Sequence, residues 1–183
     1  MNSDSFADQL HALEERALDI QLTHFRIPPD ERGRLFYALE TVGEMGELLN
    51  GCKKYIRTTL AHRRDRQSRS AIPEEAADTL IALMLVKLAA GDPRVAQPPP
   101  SGKVRPDDLT GLHDCLSRLA RDTAELYVEE ARGAADATFD LARYEAIIAA
   151  LLDIAAYFGF ALDAATHAKL TQIITKVQNG YYD

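Results

Sequence analysis

Two pairs of acidic residues have a spacing suited to binding a metal ion. Glu44 and Glu47 are three residues apart in the chain, and so are Glu75 and Asp78. Residues with this separation lie on the same face of an α-helix, so each pair would present two carboxylates in one direction. Leucines directly follow the first pair, and an apolar run at residues 80–86 follows the second. The acids therefore lie at the margin of a core-facing stripe rather than in a charged surface patch.

Carboxylates that converge in a partly dry site repel one another unless a cation neutralises them. Hard divalent cations prefer oxygen ligands, so we predict that Glu44, Glu47, Glu75 and Asp78 bind Mg²⁺, with Mn²⁺ as the alternative. The competing interpretation is that both pairs are solvated surface acids, which are common on helices. A ferritin-like di-iron site would need Glu-x-x-His on two helices, and none of the five histidines has a glutamate three residues earlier.

The residues around these acids resemble the signature of a known superfamily. Glu44-Met-Gly-Glu47-Leu-Leu, followed by Glu75-Ala-Ala-Asp78-Thr-Leu-Ile-Ala-Leu, is similar to the Glu-x-x-Glu and Glu-x-x-Asp motifs of the all-α nucleotide pyrophosphohydrolases. This superfamily includes the MazG proteins and the dimeric dUTPases. The similarity extends over residues 35–90, and residues 169–176 look like a looser version of the family's final basic helix.

The resemblance implies Mg²⁺-dependent hydrolysis of a (deoxy)nucleoside triphosphate, in the housecleaning of the nucleotide pool. Water would attack the α-phosphorus, releasing pyrophosphate and leaving the nucleoside monophosphate. The four acids would hold the metal ion against the triphosphate, and Glu47 is the favoured candidate for the general base. A homodimer or higher homo-oligomer is also implied, because family members usually build the site between helical units.

Basic residues supply candidates for triphosphate binding. Residues 53–69 contain seven lysines and arginines against one aspartate, a local charge of +6 in a chain of −7. This segment is either a solvated loop or a basic flap that contacts the triphosphate or pyrophosphate. The candidates for phosphate binding are Lys53, Lys54, Arg57, Lys169 and Lys176. The candidates for stacking on a base are Phe36, Tyr37 and Tyr55.

Helices must position these residues, because runs of Ala, Leu, Glu and Arg are abundant and strand-like alternation is scarce. Asp30 and Asp163 are predicted to be N-caps, and Pro73 is predicted to lie in the first turn of its helix. The intervening residues 61–71 are predicted to form a loop or a frayed helix end. The predicted helices are residues 5–24, 30–57 or 30–60, 73–90, 109–132, 140–158 and 163–177.

A proline-rich segment divides the chain. Residues 91–108 contain five of the eight prolines, so we expect them to be extended and exposed to solvent. The predicted organisation is a MazG-like helical unit at residues 1–91 with the metal site, a linker at 92–108, and a second helical unit at 109–183.

The second unit is interpreted as either a degenerate repeat of the first or an unrelated helix pair. A shift of 78 residues aligns the first acid pair with Asp122 and Glu125. A shift of 69 residues puts Tyr144 and Ile147 in place of the second pair, so this unit could not build a second four-carboxylate site. The neighbouring acids at 129 and 130 are predicted to be solvated.

Composition narrows the functional classes. The net charge of −7 argues against a protein that coats polymeric nucleic acid. The most apolar window, residues 147–162, is shorter than a membrane span, and the N-terminus lacks signal-peptide character. Cys52 and Cys115 are too few for a disulfide framework and are predicted to be buried.

We therefore predict an all-α cytoplasmic enzyme that binds a small nucleotide and no membrane. Two other classes of protein stay open from the sequence. One is an inactive, nucleotide-binding or regulatory member of the family. The other is a helical protein–protein adaptor whose exposed contact is the proline-rich segment.

Overall fold

The computed structural model describes residues 3–60, 66–99, 104–105, 108–133 and 138–181, and within them it is all-α, which confirms the predicted fold class. Helix α1 (Ser3–Ile20) continues into a π-helical turn (Gln21–Phe25). The other helices are α2 (Pro29–Arg32), α3 (Arg34–Leu60), α4 (Arg66–Ala89), α5 (Leu109–Ala131), α6 (Leu141–Phe158) and α7 (Leu162–Gln178).

Helix α4 lies at the centre of the structure because its sequence is apolar on nearly every side. Residues 80–86 are all buried, and α4 contacts α1, α2, α3, α6 and α7. A single hydrophobic core extends from Phe6 in α1 to Leu170 in α7. The predicted units 1–91 and 109–183 therefore pack around one shared interior.

The start of α4 differs from the sequence prediction. The helix begins at Arg66, so Pro73 lies inside it rather than in its first turn, and residues 66–71 are not a loop. Ile72 is completely buried, and a Cβ atom on Gly51 of α3 would lie only 3.6 Å from its side chain. Arg69 also donates a 3.4 Å hydrogen bond to the carbonyl of Phe158. The stabilisation from these contacts exceeds the free energy lost with the backbone hydrogen bond that an internal proline removes.

Two predicted N-caps are also wrong. Asp30 lies inside the short helix α2, which ends where Gly33 adopts a left-handed φ of 82°, and α3 begins only after it. This conformation is readily available to glycine and interrupts the helix that the sequence suggested was continuous. Asp163 lies in the first turn of α7, and Ala161 occupies the cap position.

The proline-rich segment is not simply exposed, as the sequence suggested. Ala96 and Pro98 are buried. The backbone N–H of Gln97 donates to a carboxylate oxygen of Glu145 at 2.6 Å. Arg94 donates to the carbonyl of Phe139 at 2.7 Å. The described part of this segment is thus fastened to α6 and the residues before it.

Both cysteines lie in the core. Cys52 and Cys115 are buried, as predicted, and burial raises the pKa of the Cys52 thiol to about 12.

Among the described residues, no single helix has the length and hydropathy of a membrane span. Helices α6 and α7 pass that test only as a pair, which is bent by 100°.

Three polar side chains lie together deep in the core and join α1, α4 and α6. The Lys87 ammonium is 2.6 Å from one carboxylate oxygen of Glu14, and the Tyr144 hydroxyl donates to the other at 2.7 Å. All three residues are less than 5% exposed. Since each charge has a partner, the cluster avoids the large free-energy cost of an isolated buried ion.

We predict that Lys87→Met lowers the free energy of unfolding by about 3–5 kcal/mol, because it leaves the Glu14 carboxylate buried without its counter-ion. Urea unfolding monitored by circular dichroism measures the loss. Combining it with Glu14→Leu and Tyr144→Phe should restore most of the stability, because no polar atom of the cluster is then left unpaired. The exposed-residue control Glu15→Ala should change stability by less than about 1 kcal/mol. An equal loss of stability in Glu15→Ala would contradict the role of Lys87 as the counter-ion of Glu14.

Candidate metal and phosphate site

Three of the four predicted acids converge between α3 and α4. Glu44 comes from α3, and Glu75 and Asp78 come from α4. One carboxylate oxygen of each lies within 4.8 Å of the others, and all three residues are partly buried. Helices α3 and α4 pack against each other, which brings Glu44 level with the second acid pair. Three carboxylate oxygens so arranged suit the ligand preferences of Mg²⁺ or Mn²⁺.

The fourth predicted acid, Glu47, lies at the rim of this cluster. Its side chain is exposed and is not among the three carboxylates that converge. It is nevertheless close enough for its negative charge to help raise the pKa values of Glu44 and Glu75. Glu47 is therefore beside the cluster and open to solvent.

The convergence of these acids is electrostatically unfavourable without a cation. Burial raises the pKa of Glu44 to about 7, and the charges of Asp78 and Glu47 add to the increase. Burial also raises the pKa of Glu75 and of Asp78. A carboxylate with a pKa near 7 gains from a bound cation, which stabilises its ionised form. The donor set and its electrostatics thus fit a divalent metal ion.

Lys169 of α7 supplies the nearest positive charge. Its ammonium lies 2.5 Å from a carboxylate oxygen of Asp78 and 2.7 Å from one of Glu74. Burial alone would lower the pKa of Lys169, but these two bonds raise it overall. The hydrogen bond from Lys169 to Glu74 lowers the pKa of Glu74, a residue that the motif spacing did not indicate. Lys169 therefore acts as an internal counter-ion of the α4 carboxylates.

Glu44 and Asp78 of the cluster line a cavity of about 590 Å³. Phe36 lies about 12 Å from Glu44 along α3, and Leu85 lies about 10 Å from Asp78 along α4, so the charged end of the cavity is displaced from an apolar and aromatic end. The charged lining residues include Glu40, Glu44, Asp78, Lys169 and Lys176. The opposite end includes Ile20, Phe25, Ile27, Phe36, Tyr37 and Leu85. This arrangement suits a ligand with an anionic part and a flat apolar part.

Arg32 is a further cavity residue that the sequence did not reveal. Its guanidinium carbon lies 5.5 Å from the ring centre of Phe36 and 6.0 Å from that of Phe25, within cation–π range. Phe36 is 41% exposed and so is available to a ligand, whereas Tyr37 is buried. No spacing rule marks Arg32, since it lies in the short α2 and is brought to the cavity by tertiary packing.

Tyr55, the third aromatic candidate for stacking on a base, lies elsewhere. Its ring centre is 4.9 Å from that of Phe158 and 6.1 Å from that of Tyr157, both edge-on. Tyr55 does not line the cavity and instead packs against the core.

The basic candidates on α3 are not brought to the acid cluster. Lys53 and Arg57 line a second, mostly apolar groove beside His113 and Leu116 of α5. Lys54 is exposed, two helical turns beyond Glu47 on the same side of α3. Residues 61–65, which include part of the predicted basic flap, lie outside the described residues.

The corresponding acids of the second helix pair are paired with arginines. Arg143 of α6 forms an ion pair with Glu125, and it lies 2.8 Å from Glu129 and 3.3 Å from Asp140. Arg121 lies 2.9 Å from Asp122. Tyr144 and Ile147, which the repeat alignment sets against Glu75 and Asp78, are fully buried. Each of these acids therefore lies beside an arginine of the same chain.

One of the acids predicted to be solvated has a side chain that is largely shielded from solvent. The Glu130 side chain is 8% exposed and lies 2.5 Å from the guanidinium of Arg34. This ion pair joins the end of α5 to the beginning of α3, a long-range contact that local sequence could not indicate.

Comparison of the chain with family models, with curated proteins and with solved structures finds no match. The assignment of a function therefore depends on the residues and geometry described above. The family resemblance stays a prediction from the two acid motifs.

We predict that the metal-free protein loses stability between pH 5 and pH 8 because of Glu44. The pKa of Glu44 rises from 4.5 to about 7 on folding, so the folded protein binds more protons across this interval. Raising the pH ionises the carboxylate in an unfavourable site. Glu44→Gln should therefore raise the melting temperature at pH 8 by about 2–6 °C, after allowance for solvent screening, and by less at pH 5.

The measurement is a thermal melt in a chelating buffer across that pH range. Glu15→Gln, a change at an exposed carboxylate of α1, serves as the matched control and should leave the pH dependence of the wild type in place. Parallel curves for the wild type and Glu44→Gln would refute the electrostatic account of the cluster.

Proposed function

We propose that the chain hydrolyses a (deoxy)nucleoside triphosphate to the nucleoside monophosphate and pyrophosphate with Mg²⁺ or Mn²⁺, as a member of the all-α nucleotide pyrophosphohydrolases. The observation that carries the proposal is the convergence of Glu44, Glu75 and Asp78 beside a cavity that Glu44 and Asp78 line. The cytoplasm, where the nucleotide pool is maintained, is the proposed location. We assign the chain to housecleaning of this pool.

The cavity supports a nucleotide as the ligand. Its volume of about 590 Å³ lies in the range of small-molecule sites. A polyphosphate with its cation suits the charged end, where Lys169 and Lys176 supply positive charge. A planar base suits the opposite end, where the exposed ring of Phe36 and the Arg32 guanidinium form an amphipathic surface.

The residues divide into groups with separate roles. Glu44, Glu75 and Asp78 would hold the cation, which when bound neutralises phosphate oxygens and lowers the pKa of water. Glu47 is exposed beside them and outside the converging set, so it is available to accept the proton of the attacking water as a general base. Lys176 would bind phosphate from α7.

Lys169 would change partners during this reaction. In the structure its ammonium bonds to Asp78 and Glu74. If Asp78 held a cation, the Lys169 ammonium would lose its attraction to that carboxylate and could bind a phosphate of the substrate instead. Its position at the cavity wall allows both contacts.

We predict that Glu47→Gln and Asp78→Asn each reduce pyrophosphate release by about 10²–10⁴-fold, because each removes a group that acts on the reacting water or its cation. The assay follows pyrophosphate from a panel of common and modified dNTPs with Mg²⁺ or Mn²⁺. Glu15→Gln, an exposed and matched change on α1, should keep full activity. Circular dichroism checks that the helical content of each variant is preserved.

Three results would count against this proposal in different ways. Full activity in both site variants would show that the wrong residues were chosen. Metal-dependent nucleotide binding in calorimetry without turnover would identify an inactive, nucleotide-binding protein. The absence of any increase in melting temperature with metal and nucleotide would favour the adaptor, since a ligand that binds only the native state must stabilise it.

A further inference from the structure

The end of α3 and the beginning of α5 form an apolar groove of about 650 Å³. Glu44, Glu75 and Asp78 do not line this groove. Lys53, which does line it, lies about half a helical turn from Glu44 in projection around α3. The groove is therefore separate from the candidate metal and phosphate site and lies on the other side of α3.

The floor of the groove is continuous with the hydrophobic core. Ile56 belongs to the core, and the partly buried Leu49 and Leu116 pack against it. Leu60, the last residue of α3, lines the groove and is 66% exposed, more than any other large aliphatic side chain of the described residues. Connected apolar surface that is left in contact with water and bordered by polar side chains is typical of a binding site for another molecule.

Positive charge borders this apolar surface. Lys53 and Arg57 line the groove from α3, and both are exposed. Neither forms an ion pair with any other residue that the structure describes. His113 lines the groove from α5, whereas the neighbouring Asp114 does not. The groove thus offers two cationic side chains to a ligand.

The spacing of the groove residues along α3 indicates the shape of a suitable ligand. Apolar side chains at positions 49, 56 and 60 and basic side chains at 53 and 57 recur at three- and four-residue intervals, so they share one face of the helix. Leu49 and Leu60 are 11 residues apart, which is about 17 Å or three helical turns. Because α3 and α5 pack side by side, this face borders an elongated depression between two helices. A third helix fits such a depression.

We propose that this groove binds an acidic amphipathic helix of a partner protein. The apolar face of the partner helix would cover the leucines and the isoleucine of the groove. Aspartates or glutamates beside that face would pair with Lys53 and Arg57, which are four residues apart and so match two carboxylates on successive turns of the partner. The opposite charges would also select against basic helices of similar hydrophobicity.

The open shape of the groove favours a helix over a small apolar molecule. Sites for small molecules enclose most of the surface of their ligand. In this groove Lys53, Arg57 and Leu60 are all exposed, so one side of any occupant stays in contact with water. An amphipathic helix has a polar face for that side, whereas an apolar molecule does not.

The charge and the size of the groove argue against a second copy of the chain as its occupant. A two-fold contact through the groove would place Lys53 and Arg57 of one copy against the same cations of the other. The groove measures about 17 Å by about 20 Å, the width of two packed helices, which gives about 340 Å². This area is less than half of the roughly 800 Å² that each partner buries in a standard interface, so we expect a single short helix to bind weakly and reversibly.

Fluorescence anisotropy with labelled synthetic peptides tests the proposal. The probe is a peptide of about 18 residues with leucines on one helical face and glutamates on both sides of that face, long enough to form a helix. One reference peptide has lysines in place of the glutamates, and a second has the composition of the probe in scrambled order. We expect the glutamate peptide to bind the wild type with a dissociation constant below about 100 µM, and both reference peptides to bind at least about 10-fold more weakly.

Matched variants locate the binding site on the protein. Lys53→Glu combined with Arg57→Glu should weaken binding of the glutamate peptide by at least about 10-fold and should reverse the preference in favour of the lysine peptide, which unfolding would not do. Lys54→Glu changes an adjacent exposed lysine that does not line the groove, and it should weaken binding by less than about 3-fold. Leu60→Ser should weaken binding by about 5-fold or more, because it removes exposed apolar contact area. Circular dichroism checks that each variant is folded.

Equal affinity of the wild type for the glutamate and lysine peptides would overturn the proposal, and so would equal losses of binding in Lys54→Glu and the double variant. Failure of the glutamate peptide to bind would also overturn it. In that event, a dimer in sedimentation equilibrium that Leu60→Ser dissociates would identify a second copy as the occupant. Binding to anionic phospholipid vesicles that the double variant abolishes would instead identify a membrane. None of these results depends on the hydrolase activity, because the acid cluster lies on the other side of α3.

Discussion

The repulsion among Glu44, Glu75 and Asp78 is the constraint on which the rest of the site depends. Three carboxylates within 4.8 Å of one another at the edge of a hydrophobic core require positive charge from elsewhere in the chain or from a ligand. Lys169 supplies part of it through Asp78, and burial still raises the pKa of Glu44 to about 7. In the other helix pair, Arg143 is shared by three carboxylates whose side chains are 40–52% exposed, so solvent also screens their charge. The partly buried cluster of Glu44, Glu75 and Asp78 has less access to that screening.

Much of the fold follows from patterns that can be read along the chain. The all-α class, the buried α4 and the two helix pairs follow from apolar periodicity and from the stretch without periodicity near residues 91–108. The errors occurred where a distant contact decided the local structure. The burial of Ile72 against α3 extends α4 through Pro73, and the hydrogen bond from Gln97 to Glu145 fastens the proline-rich segment. Gly33 is different, because only its backbone conformation, and no pattern, separates α2 from α3.

In the candidate site too, some features can be predicted from the sequence and others depend on tertiary contacts. The i, i+3 spacing indicates that the acids of each pair share a helix face, whatever the tertiary structure. It could not tell that Glu47 lies outside the converging set, nor that Glu74 is bonded to Lys169. Arg32 reaches the cavity from a helix of only four residues, for which no periodic signal exists. Lys53 and Arg57 have the right charge for phosphate but lie on the wrong side of α3 for it.

The position of Lys169 in α7, far along the chain from the acids of α4, has a consequence for the synthesis of the protein. Glu74 leaves the ribosome 95 residues before the lysine that pairs with it. The helices that carry the acids are thus synthesised before Lys169 and Lys176 of α7, which supply positive charge to Glu74 and Asp78. Docking of α7 both closes the core at Leu170 and brings Lys169 to Asp78 and Glu74. Completion of the site is therefore tied to the synthesis of α7, and a fragment that stops before α7 would keep the acids without Lys169.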